Sequence, residues 1–168
     1  VLAPLLARWP GIRAPGHWSV YEASVRAIVG QQVSTGAARG ICARLASDCA
    51  GSETPLRFPS PAALAALADN HFPMPGTRRN TLRRLATACS EPEEELDLET
   101  LGQFRGVGPW TRSMVSMRGL GDPDAFPLTD LGVVRAWASL GTSDALTSRM
   151  TRWRPWRAYA ANLLWRSL

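Results

Sequence analysis

Residues 101–113 read LGQFRGVGPWTRS, and no other stretch limits the possible folds as tightly. Two glycines flank Val107, and Pro109 and Trp110 follow at once. A helical pattern over 96–104 stops at Phe104. Gly106 can take a positive φ there at no steric cost, as the end of a helix often requires. Pro109 suits the first turn of a new helix, where its missing N–H is no loss. The chain is therefore expected to double back between two helices. The turn leaves backbone N–H groups bare at a helix N-terminus. With no side chain on Gly106 or Gly108, another molecule's backbone can come close, and such a site favours an anion. Val107 is expected to point inward and hold the turn. An ordinary helical hairpin with a glycine cap would also produce the pattern.

Charge bears on that choice. All 19 basic residues are arginine and none is lysine; the net charge is +5 and the pI is about 10.0. An arginine-favouring genome with a solvated surface accounts for this in one way. A polyanionic partner accounts for it in another, because guanidinium grips phosphate in a bidentate manner. With Leu101, Phe104, Pro109 and Trp110 around the glycines, nucleic-acid phosphate is the favoured anion. The absence of lysine excludes any mechanism that needs a lysine amine.

The remaining composition narrows the class. The 168 residues suffice for one domain with its own core, and 45% hydrophobic residues argue against disorder. No run approaches the apolar length of a membrane span. There is no secretory segment, and the chain does not begin with Met, so a piece of a longer protein is expected. Cys42, Cys49 and Cys89 show no metal spacing and cannot all pair. A reducing cytosol is the expected location.

Helical periodicity dominates. Helices are expected over 19–33, 34–47, 61–69, 77–89, 96–104, 109–120, 131–140 and 154–168. Ser19, Ser34 and Ser60 serve as caps and Pro61 lies in a first turn. No alternating strand pattern stands out, so the fold class is all-α. Residues 51–60 and 121–129 read as loops. Glu91, Glu93, Glu94 and Glu95 read as a solvated acidic turn.

Downstream of the hairpin comes DPDAFPLTDLGVVRA (122–136), with Asp130 at a helix start. Thr129 or Asp130 could simply cap that helix. The glycine hairpin followed at this distance by F-P-x-x-D-L-G, however, resembles the helix-hairpin-helix DNA glycosylase superfamily, and within it the AlkA-like 3-methyladenine DNA glycosylase II branch. WPGIRAPG (9–16), VRAIVGQQVS (25–34), MPGTRRNTLRRLA (74–86), GVGPWTRSMVSMRG (106–119), DAFPLTDLGV (124–133) and RWRPWRAYAANLLW (152–165) carry the likeness in that family's order, over nearly the whole chain.

The resemblance implies one two-lobed helical domain over 1–168 with its active site in the cleft between lobes. It implies a catalytic aspartate at Asp130 and a base pocket with Trp110, Trp156 and Met114. Gly106, Val107, Gly108 and Thr111 then belong to the DNA-backbone hairpin, whose carbonyls often hold a structural monovalent cation. Gln31 and Gln32 match the segment that pushes into the duplex. AlkA has an aliphatic wedge where this chain has Gln32, and a tyrosine where it has Met114. No counterpart of AlkA's N-terminal β-rich domain is expected within residues 1–168, and some bacteria fuse this glycosylase to an alkyl-transfer regulator.

The implied partner is double-stranded DNA with alkylated bases, engaged by a monomer. The implied reaction flips the nucleotide out and hydrolyses its N-glycosidic bond. Electron-rich indoles favour a cationic alkylpurine, and Asp130 stabilises charge developing on the sugar. Without lysine the expected enzyme is monofunctional and leaves an abasic site. The last cysteine is Cys89, so no iron–sulfur cluster is expected. No side-chain metal ligands are expected. A non-catalytic DNA-binding module, or a glycosylase for another damaged base, stays open. Trp137 and Trp165 read as core; Trp153 and Trp156, three apart, leave open which of them is core.

Overall fold

Each helix start expected at a serine carries its cap in the computed structural model, which describes residues 2–51, 57–90 and 96–168. Ser19, Ser34 and Ser60 accept backbone N–H groups from Glu22, Ala37 and Ala63 at 3.1, 3.2 and 3.2 Å. Each bond satisfies one of the orphan donors of a first turn. The α-helices along the described residues are α1 (Ala3–Arg8), α2 (Val20–Gly30), α3 (Thr35–Ala50), α4 (Pro61–Ala66), α5 (Gly76–Ala88), α6 (Leu98–Gly102), α7 (Pro109–Gly119), α8 (Leu131–Ser139), α9 (Leu146–Met150) and α10 (Arg157–Arg166). No strand occurs among the described residues.

Two of these helices, α1 and α9, have no counterpart in the sequence reading. At six and five residues they are too short to show a period. The last helix begins at Arg157 rather than 154, because Pro155 holds Arg154 extended at ψ 140°. The acidic stretch Glu91, Glu93, Glu94 and Glu95 lies outside the described residues.

The apolar faces meet in two separate cores. The first gathers α2 to α5 around Ile28, Val29, Leu64, Leu82 and Leu85, all fully buried, together with Leu101 of α6. The second gathers α8 and α10 around Val133, Ala136, Ala158, Ala161 and Leu164. A fully buried Leu contributes about 1.5–3 kcal/mol to such a core. Helix α7 joins the lobes: Val115 belongs to the first core and Met117, two residues on, to the second. It lies very close to α2. A Cβ on Gly119 would come within 2.9 Å of Ala23 Cβ and 3.1 Å of Val20 Cα. The end of α7 is thereby held against the start of α2. No helix among the described residues is long and apolar enough to cross a membrane.

Candidate active site

Asp130 precedes α8 in an extended conformation (φ −67°, ψ 125°), so its short side chain folds back over the first turn. Oδ1 accepts the Val133 N–H at 2.9 Å, as a capping residue does. The same oxygen accepts the indole N–H of Trp165 at 2.7 Å. Oδ2 accepts the indole N–H of Trp110 at 2.9 Å. One carboxylate thus receives N–H groups from α8, α10 and α7, which span both lobes. Capping and a functional role are not alternatives here; the same geometry serves both. Donors of this kind suit the ionised carboxylate and fix its rotamer.

Small residues make the arrangement possible. A Cβ on Gly132 would lie 2.9 Å from Trp165 Cδ1 and 3.0 Å from Asp130 Oδ1. At the end of α2, the site of a Cβ on Gly30 is 3.9 Å from Trp110 Cη2. The glycines give both indoles room.

The hairpin lies next to Trp110. Gly106 has φ 92°, Val107 is buried, and the Val107 N–H donates to Phe104 O at 3.0 Å. No side chain caps α7. The amides of Gly108, Trp110 and Thr111 make no hydrogen bond among the described residues. A bare N-terminus of this kind, on an eleven-residue helix, can take a phosphate. Beside it, between α5, the hairpin and the α2–α3 loop, runs an open groove of about 640 Å³. Arg78, Arg84 and Arg105 line it, and no carboxylate does.

The structure brings Asp130 and Trp110 together, and it sets Gly106, Val107 and Gly108 in one turn. The other assigned residues have different surroundings. Trp156 is 59% exposed at the start of α10, edge-on to Tyr159 with ring centroids 5.7 Å apart. Met114 is half-buried and packs on the first core. Thr111 is buried, its hydroxyl accepts from Gln31 Nε2 at 2.9 Å, and its amide makes no hydrogen bond among the described residues. Gln31 turns inward, donating also to Gly106 O at 2.9 Å. It ties α2 to the hairpin. Gln32 is exposed with φ 57°, a conformation uncommon outside glycine.

The tie at Gln31 carries a prediction. Gln31→Ala removes the partner of a buried hydroxyl and of Gly106 O, at a cost of about 1–2 kcal/mol. The expected drop in melting temperature is about 2–8 °C, readable by circular dichroism.

Comparison with known proteins fits this geometry. No family model matches the chain. The probable bifunctional transcriptional activator/DNA repair enzyme AlkA of Mycobacterium tuberculosis is 39% identical over 185 residues, covering 99% of this chain and 37% of that protein. The DNA-3-methyladenine glycosylase 2 of Escherichia coli is 33% identical over 179 residues, covering 98% and 63%. Among solved structures, the Schizosaccharomyces pombe 3-methyladenine DNA glycosylase in complex with abasic DNA superposes with a TM-score of 0.79 at 23% identity, covering 98% of this chain and 88% of that one. The chain belongs to the helix-hairpin-helix DNA glycosylase superfamily. It spans 37% and 63% of the two curated relatives' own lengths.

Within that superfamily's fold, the residue missed by sequence reasoning is Trp165. Trp156 and Trp165 are nine residues apart, so a helix places them on opposite sides and roughly 13 Å apart along its axis. Only one can face α8. A signal did exist: Ala158, Ala161 and Trp165 follow helical spacing, and both alanines are fully buried. They mark the face on which the useful tryptophan lies.

Proposed function

We propose that the chain is the catalytic part of a monofunctional DNA glycosylase that releases alkylated purines, such as 3-methyladenine, from duplex DNA in base excision repair. The observation that carries this reading is Asp130, an ion held by two indole N–H groups at the junction of the lobes. A purely DNA-binding module has no use for such a carboxylate.

The reaction follows from the geometry. Phosphate docks on the open amides of the hairpin, and Arg78, Arg84 and Arg105, which make no ion pair among the described residues, extend positive charge along the groove. The target nucleotide swings out of the stack, and the exposed Gln32 fills the gap. Alkylation makes the purine cationic, so Trp110's indole attracts it and the base leaves easily. Asp130 faces the positive charge that develops on the sugar. Its three hydrogen bonds orient it beforehand, so it does not reorganise during bond breaking. Water then attacks the sugar, and Asp130 is the group placed to orient it or take its proton. With no lysine in the chain, no side-chain amine forms a Schiff base, and the strand stays intact.

A monovalent cation at the hairpin would have to share the carbonyls of Phe104, Arg105 and Gly106. Each already receives a hydrogen bond from within the protein. No step depends on such an ion. The Mycobacterium tuberculosis relative's name joins a transcriptional activator to a repair enzyme. That supports this chain as the repair part of a similarly joined protein.

The test is incubation with methylated duplex DNA, separating free bases and then treating the strand with alkali. Free 3-methyladenine, with strand breaks only after alkali, is the expected result. Folded protein that binds DNA yet releases nothing would favour the non-catalytic module. Release confined to oxidised or mismatched bases would favour the other substrate class.

A further inference from the structure

Arg118 sits on the final turn of α7, half-buried, with no carboxylate partner among the described residues. Its guanidinium carbon lies 5.4 Å from the centre of the Trp165 ring. Nη2 donates to Asn162 Oδ1 at 3.2 Å, one turn before Trp165 on α10. Nη1 donates to Pro15 O at 2.7 Å, in the segment that leads into α2. Arg118 O accepts the His17 N–H at 2.6 Å. Two other stretches of chain, residues 15–17 and α10, therefore close around this one residue.

A partly desolvated cation without an acid is costly unless something else answers its charge. Trp165 answers it. An indole carries negative potential on its face and positive potential at its N–H edge. Arg118 lies against the face of Trp165, and the edge of Trp165 points at the Asp130 carboxylate. Cation, indole and anion are thus stacked in the order that an aromatic quadrupole favours. The cation polarises the ring and strengthens the N–H as a donor, while the forks to Asn162 and Pro15 stop the guanidinium sliding away.

We infer that Arg118 is a positioning residue for Asp130, acting through Trp165. It makes no contact with the carboxylate itself. It sets the plane of the indole whose N–H fixes one oxygen of the reacting group. The inference rests on the reading of Asp130 as the charge stabiliser, but its main readout does not depend on activity.

The experiment is hydrogen exchange of tryptophan indole N–H groups by NMR, with single-turnover base release measured alongside. Trp137 supplies the internal control. Its indole N–H donates to Asp144 O at 3.0 Å in the same lobe, remote in the hydrogen-bond network from Arg118. Arg118→Met keeps a similar stem and removes the charge and the fork. Its Trp165 indole is expected to exchange about tenfold faster, as befits loss of support for a charge-assisted bond. Trp137 should stay within about twofold of wild type on the same basis. Base release should fall by about tenfold with DNA affinity unchanged. Arg118→Lys keeps a cation but not the fork, so a selective but smaller change of about threefold at Trp165 is expected. The lysine variant decides alone if the methionine variant does not fold. An unchanged Trp165 in whichever variant folds would overturn the inference. So would Trp137 quickening in step with Trp165, because that signals a loosened lobe rather than a lost positioning contact. Wild type that releases no base while Trp165 responds selectively would sink the catalytic reading and leave the Arg118–Trp165–Asp130 coupling intact.

Discussion

Asp130→Asn is expected to reduce single-turnover base release by about 10²–10³-fold while DNA affinity stays within about twofold. Two effects add. The amide cannot supply the negative charge that faces the sugar. It also offers one oxygen and one NH₂ where the carboxylate offered two acceptors. Oδ1 serves both Val133 N–H and Trp165 Nε1–H, so the amide oxygen is drawn to that side. The NH₂ then meets Trp110 Nε1–H, a donor against a donor at what was a 2.9 Å contact. Trp110 must move. Stability changes little by comparison, since Asn is as good a capping residue as Asp. The measurement is quantified free-base release with excess protein, paired with a melting curve and a DNA titration. A rate within about threefold of wild type would remove Asp130 from the chemistry, because losing a preorganised charge costs far more than that.

How far the site was legible follows from how local each feature is. The turn of the hairpin is written in its neighbours: Gly106 takes its positive φ and Pro109 opens α7 within a few residues. Asp130 was legible for the same reason, since a capping position is written in the adjacent sequence. The choice between Trp156 and Trp165 was not local. It depends on which side of α10 packs against α8, a matter decided by buried Ala158, Ala161 and Leu164. Gln31 and Gln32 show the same limit more sharply. Two identical residues in succession have opposite fates, because Gln31 finds acceptors 75 and 80 residues away and Gln32 does not. Arg118 looked like one arginine among 19. Its contact with the Trp165 ring and its hydrogen bonds to Pro15 and Asn162 single it out, and all three are contacts distant in sequence.

Gly132→Ala is the second substitution with a large expected effect, and two principles oppose each other there. Alanine is the better helix former by about 1 kcal/mol. At Gly36, where a Cβ meets nothing within 4 Å, that gain should appear undiminished. Gly36→Ala is therefore expected to stabilise by about 0.5–1 kcal/mol and leave the rate alone. At Gly132 the new Cβ would sit 2.9 Å from Trp165 Cδ1, 3.0 Å from Asp130 Oδ1 and 3.1 Å from Trp165 Nε1. Such overpacking costs about 1–3 kcal/mol, which cancels or exceeds the propensity gain. The rate is more sensitive than the stability. Relief of the clash requires the indole to withdraw from Asp130 or the first turn of α8 to shift, and either breaks the 2.7 Å bond. A displacement near 1 Å at a reacting group costs about 10²-fold. Gly132→Ala should therefore melt within about 5 °C of wild type, bind DNA normally and release base about a hundredfold more slowly. Gly36→Ala, measured in parallel, separates the helix-propensity effect from the loss of geometry at Asp130. If Gly132→Ala behaved like Gly36→Ala, the Trp165–Asp130 hydrogen bond would have no part in the reaction.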